Sequence, residues 1–124
     1  MDRAVVLRRA LWTSVPFNAS GALIFFFPAS IGRLAQLPLP APILYSWFCG
    51  AVIAMYGVVY VWLARQITPN REFVLVSAVG KLTFFAVCVA SWLAGESPPL
   101  LVAIASFDVV LAVAFLYGLP KRSV

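Results

Sequence analysis

The chain is predicted to be an all-α polytopic membrane protein, a compact bundle of four antiparallel transmembrane helices with both termini in the cytoplasm. Three observations predict it. Of 124 residues, 64% are hydrophobic and 10% charged, and the mean hydropathy is +1.01; in soluble domains about a quarter of residues are charged. A soluble fold of this size has one modest core, and so many apolar residues would leave exposed patches that monomers do not tolerate. The same composition excludes a disordered chain. The apolar residues also fall into four runs, each near the ~20 residues that a hydrocarbon core about 30 Å thick requires, and the basic residues collect on one side of those runs.

The first span is expected over residues 11–32, behind Arg3, Arg8 and Arg9. Its apolar stretch is too long for a signal peptide and is interrupted by Pro16 and Asn18, so it reads as a retained helix. Pro16 and Pro28 inside it would kink it and free carbonyls that a cavity or a serine must satisfy. Pro38, Pro40 and Pro42 close the first connection, and the second span follows over 43–64. Thr68-Pro69-Asn70 leads into the third span, 73–94, and Gly95-Glu96-Ser97-Pro98-Pro99 into the fourth, 100–118. Connections this short make consecutive helices antiparallel neighbours, so the whole chain forms one domain.

Orientation follows from counting Lys and Arg at the ends of the spans. Arg3, Arg8, Arg9, Arg65, Arg71, Lys121 and Arg122 lie on one side and only Arg33 on the other, which places both termini in the cytoplasm. Aromatic placement agrees: Trp12, Trp62 and Tyr117 fall at the inner interface, Tyr45, Trp47 and Trp92 at the outer one. The net charge of +5 therefore reports topology and attraction to anionic lipid headgroups, and no nucleic-acid partner is expected.

An internal repeat is suggested by residues 18–26 and 77–85, NASGALIFF and SAVGKLTFF, which match at five of nine positions with a shift of 59. The same shift lays Phe48-Cys49 on Phe107-Asp108. Both halves start on the same side, which would make a parallel repeat of two-helix hairpins, as in some transporters with a site between the repeats.

Lys81 and Asp108 are the most informative residues, because an ionisable group at the centre of a span costs at least ~2.5–3.5 kcal/mol and normally faces the bundle interior. At the helical rise of about 1.5 Å per residue, Lys81 lies about 12 Å from the inner end of the third span and Asp108 about 15 Å from that of the fourth. The levels match, so an interior Lys81–Asp108 pair is expected. Asn18 and Tyr56 fall about 10–12 Å into the first and second spans by the same rise. Ser14, Ser77 and Tyr60 lie one turn from Asn18, Lys81 and Tyr56. The candidate site is therefore Lys81, Asp108, Asn18, Tyr56, Tyr60, Ser77 and Ser14, opening toward the cytoplasm.

Small residues form a stripe at Gly50, Ala54 and Gly57, and Ala105 and Ala112 flank Asp108, which suits close helix packing or homodimerisation. Cys49 and Cys88 are expected in apolar packing, with a redox pair as the alternative. The phenylalanines at 25–27 and 84–85 read as lipid-facing or core residues. There is no histidine, no glycine-rich phosphate loop and no ligand cluster, so neither a cofactor nor a metal is expected.

The length, the four compact helices and Gly80-Lys81-Leu82 followed by Phe84-Phe85 resemble the DoxX-like group of small bacterial integral membrane proteins. In that group a Gly-x-x-Lys-Leu type signal belongs to the first helix, whereas the lysine here lies in the third. The resemblance implies a plasma-membrane protein, in bacteria the inner membrane, often accessory to redox or quinone-linked systems, and it assigns no catalytic residue.

Three functions stay open at this stage. The first is a non-enzymatic bundle whose inward-opening cluster binds a small amphiphilic ligand or supports proton-coupled transport, with Lys81 holding an anionic group, Asp108 balancing it, and Asn18 and Tyr56 orienting the ligand. The second is an accessory or structural subunit whose Lys81–Asp108 pair serves assembly, with another copy or a membrane-complex partner. The third is a lipid- or quinone-modifying membrane enzyme with Asp108 as acid or base, which lacks a second catalytic group.

Overall fold

The computed structural model describes residues 2–122, and every regular element among them is helical. Helix α1 spans Arg3–Phe26, α2 is a single turn at Ile31–Leu34, and α3, α4 and α5 span Ile43–Arg65, Arg71–Leu93 and Pro99–Tyr117. The side chain of Asp2 caps α1 by accepting from the amide of Ala4, and that of Asn70 caps α4 by accepting from the amide of Phe73. Pro99 occupies the first turn of α5, where its missing N–H costs nothing. Helices α3, α4 and α5 are each long and apolar enough to cross a membrane. Helix α1 is of similar length, but Arg8, Arg9, Pro16 and Asn18 dilute its apolar character.

The last three runs form helices within two residues of their expected limits, whereas the first does not run unbroken from 11 to 32. Helix α1 starts earlier and stops at Phe26, so Pro28 lies beyond the helix and not inside it. The cause is local. A residue preceding proline is driven out of the helical region, and Phe27 sits at φ −124°, ψ 66°. The carbonyls exposed at this helix end are met by the start of α3: Ser46 Oγ donates to Phe25 O, and Trp47 Nε1 donates to Phe26 O at 3.2 Å.

Around the bundle the order is α1, α3, α4, α5. Helix α1 packs along α3 and α4 along α5, α1 also meets α5, and α3 touches α4 at few points despite the short loop between them. Side-chain size explains the difference. At the α1–α3 seam a Cβ on Gly50 would lie 3.2 Å from Ala22 O, and one on Gly21 3.4 Å from Ile53, so the backbones come close. At the α3–α4 seam Tyr56 stands against Gly80, and Trp62 and Phe73 meet edge to face at 5.2 Å, holding the helices apart. The stripe at Gly50 thus serves packing within the chain.

The half of the bundle nearest the termini is solid, filled by Leu7, Leu11, Leu63, Val74, Leu111 and Phe115, each no more than 4% exposed. Arg8 braces this end by donating to Ala64 O, to Gln66 O at 3.0 Å and to Ile67 O at 3.0 Å, covering the free carbonyls where α3 stops. Arg71 donates to Pro120 O at 2.7 Å across the same end. Gly118 has no room for a side chain, since a Cβ would come within 2.6 Å of Leu7. The outward faces carry Met55, Val58, Val76, Val79, Val110 and Val113, all exposed. A helix that is apolar on every side suits a hydrocarbon solvent.

Candidate functional site

Each of the four long helices delivers a polar side chain to the middle of the bundle, and the spacing along each helix sets the common depth. Lys81 on α4 and Asp108 on α5 form an ion pair, with Nζ and Oδ1 2.7 Å apart and side chains 2% and 8% exposed. Lys81 also donates to Asn18 Oδ1 at 3.4 Å, and Asn18 Nδ2 donates to Ile53 O at 3.0 Å. One chain of hydrogen bonds thus links α3, α1, α4 and α5. The aromatic rings of Tyr60, Phe17 and Phe115 surround the ammonium group, their centroids 4.9, 5.5 and 5.8 Å from Nζ. The electron-rich ring faces add to the field of the carboxylate. Taking an ion pair out of water is repaid only when geometry and further hydrogen bonds are good, and here Lys81 has both.

Beside this pair lies a cavity of about 150 Å³ with walls from all four long helices. Asn18, Tyr56, Tyr60, Lys81 and Asp108 line it, so five of the seven candidate residues converge on one space. Ser14 and Ser77 are not among its lining residues. Ser14 is fully buried and donates to Ala10 O of its own helix at 2.8 Å. Ser77 is also buried, and among the described residues its hydroxyl has no hydrogen-bond partner. Both lie one turn nearer the termini than the residues they were grouped with, inside the solid half.

Contrary to the expectation from sequence, the cluster does not open toward the termini. Tyr60, Phe115, Leu63 and Leu111 fill the space below the pair. The cavity extends the other way, to Phe25 on α1, Phe84 on α4 and Leu101 near the start of α5. Bulky residues below the pair decide the direction, and the wall above it runs through Gly21, Ile24 and Ile104.

Several contributors were not counted in the candidate site from sequence. Phe25 and Phe84 close the top of the cavity edge to face, with centroids 6.4 Å apart, and Phe17 meets Phe107 edge to face at 5.0 Å. Their spacing is that of any apolar helix face, so nothing in the pattern distinguished them from lipid-facing residues. Ser46 is buried as well, and its position four residues before Gly50 on the packed face was the available signal. Cys88 is buried as expected, whereas Cys49 is exposed, and both are free thiols. Cys49 adjoins Gly50 on α3, and only Gly50 turns to α1.

Chemically the site is neutral overall and rich in acceptors. Asp108 makes one hydrogen bond, through Oδ1, among the described residues, which leaves Oδ2 without one. The hydroxyl of Tyr56 adjoins Gly80 on the same wall. Among the described residues no three His, Cys, Asp or Glu side chains come together. No family model, curated protein or solved structure matches the chain, and these comparisons do not bear on the resemblance to the DoxX-like group.

Proposed function

We propose that the protein is an integral membrane protein of the bacterial plasma membrane in which α1 also spans the bilayer, both termini face the cytoplasm, and the central cavity binds a small amphiphilic molecule. The observation that carries this reading is the cavity itself: an apolar chamber whose floor is an ion pair with an unused carboxylate oxygen. Intramembrane ionisable residues that face a cavity are functional by default. A chamber that is filled toward the termini and extends away from them suits capture from the outer leaflet. In a transport cycle the solid half would have to open in turn, with Asp108 taking up a proton when its distance to Lys81 increases. The repeat of two hairpins, α1–α3 and α4–α5, is part of the same proposal: Phe25 and Phe84, 59 positions apart, meet face to edge across the centre.

The test is the melting temperature of purified protein in lipid nanodiscs against a panel of small apolar and amphiphilic compounds. Stabilisation by one chemical class in the wild type, lost when Leu101→Trp fills the mouth, supports the reading. No stabilisation by any compound refutes it. Proteoliposomes containing an active compound then distinguish transport from binding alone.

A second reading is favoured by a specific observation, the hydrogen-bond chain that ties all four long helices at one level. Here the pair fixes the register of the bundle, and the apolar exterior serves an accessory role beside another membrane protein. Full function in cells with Lys81 and Asp108 both replaced by apolar residues would select this reading.

A further inference from the structure

The cavity's dimensions and hydrogen bonds restrict what it can hold. Its volume of about 150 Å³ equals that of an engineered apolar cavity that takes up benzene. An acyl chain or a whole lipid does not fit; one ring or a short branched chain does. The charge is already balanced, because Lys81 is engaged by Asp108 and Asn18 and enclosed by three rings. An anion or cation brought into the cavity would have no counter-charge of its own there, and its desolvation would go unrepaid. Lys81 is therefore not an anion receptor, which changes the role the sequence suggested for it.

The unused group is an acceptor. Asp108 is 6% exposed, lines the cavity and leaves Oδ2 without a hydrogen bond, so an occupant that donates is preferred over one that only accepts. The walls favour a flat aromatic occupant: the Phe25–Phe84 pair offers aromatic edges and faces opposite the polar floor, and the rings of Phe17 and Tyr56 also line the cavity.

Resting on the binding function proposed above, we infer that the ligand is a compact, uncharged, hydroxyl-bearing aromatic, phenol in its simplest form, whose O–H donates to Asp108 and whose ring lies beneath Phe25 and Phe84. It enters from the side. A wider groove between α1, α2 and α5, lined by Leu23, Ile31, Leu34 and Ala35, shares Ser20, Ile24 and Ile104 with the central cavity. Those three residues are the boundary between the groove and the chamber, and α2 roofs the groove on the side away from the termini.

The experiment is competition for 4-fluorophenol, followed by fluorine NMR on the full chain in nanodiscs, with probes of nearly equal size: phenol, anisole, benzene, benzoate and benzylammonium. Phenol is expected to displace at least tenfold more tightly than anisole or benzene, and the two ions to be weakest. In Lys81→Met/Asp108→Leu, which removes both charges together, phenol and benzene are expected to bind within about twofold of each other, since the carboxylate that accepts the phenol proton's hydrogen bond is then gone. Leu101→Trp is expected to abolish displacement and supplies the background for partition into lipid. Tightest binding by benzoate, or equal binding by phenol and anisole, overturns the assignment while leaving a binding cavity. A phenol preference that survives in the double variant overturns the role of Asp108. If no probe binds the wild type better than the filled variant, the binding function itself fails, and this inference with it.

Discussion

An ammonium group inside an apolar bundle persists only if a counter-charge meets it, and Lys81 meets Asp108 at 2.7 Å. Removing one partner of a buried pair typically costs about 3–5 kcal/mol, whereas replacing both by apolar groups is often neutral or better. Lys81→Met and Asp108→Leu are each expected to lower unfolding free energy by about that amount, and the double variant to return to within roughly 1 kcal/mol of the wild type. Denaturant unfolding in detergent, followed by tryptophan fluorescence, measures all three. Ser77 carries the opposite expectation. It is 1% exposed and its hydroxyl is unpaired, so Ser77→Ala should stabilise by about 1 kcal/mol, because a buried unsatisfied polar group costs about 1–3 kcal/mol. A lower melting temperature for this variant would mean that the hydroxyl has a partner after all. Depth was legible for these residues, because the rise per residue is fixed and places Lys81 and Asp108 at one level from sequence alone. Which way a cavity runs from that level was not. It depends on Tyr60 and Phe115 turning beneath the pair while Gly21, Ile24 and Ile104 bound the space above it, and a stretch that is apolar on all sides gives no signal of rotation.

Helices α3 to α5 kept their sequence-derived limits because proline, glycine or asparagine marks their ends, and α1 departed from its own because Pro28 acts on the residue before it. The seams between helices follow a second rule, the size of the facing side chains. Gly50 has Ala22 O and the Phe26 ring 3.2 Å from where its Cβ would stand, whereas at Gly57 the nearest atom is Asn18 Cβ at 3.5 Å. Gly50→Val is therefore expected to cost about 1–3 kcal/mol through overpacking. Gly57→Ala should be close to neutral, since 3.5 Å is ordinary van der Waals contact. Melting temperatures of the two variants in one detergent test the pair, and equal losses would show that the closeness of α1 and α3 is not set at Gly50. Sequence gave the small-residue stripe but not its partner, because homodimerisation and packing on α1 require the same residues.

At the scale of the whole molecule, the two hairpins differ in what they contribute. In the proposed repeat Ala22 stands where Lys81 does, and Cys49 where Asp108 does, so both charges belong to the second hairpin while the first supplies Asn18 and the backbone of Ile53. A symmetric pair of hairpins would meet at two equal seams. Here α1 meets α5 more extensively than α3 meets α4, so the two seams are unequal. The position of the groove under α2, away from the termini, gives the orientation its functional meaning: with the termini in the cytoplasm, the ligand proposed above would arrive from the outer leaflet. The seven basic residues at the terminal end and the single Arg33 opposite predict that orientation. It is tested in intact cells after Cys49 and Cys88 are replaced by Ala, using a membrane-impermeant maleimide on Asp2→Cys and Glu96→Cys, which lie at opposite ends of the bundle. Glu96→Cys should label in intact cells, and Asp2→Cys only after the membrane is opened. The reverse pattern would turn the chamber toward the cytoplasm and make it a receiver of molecules from inside the cell. Equal labelling of both before lysis would mean that α1 lies outside the bilayer, and the Asn18–Lys81 contact would then have to form at a surface and not within the membrane.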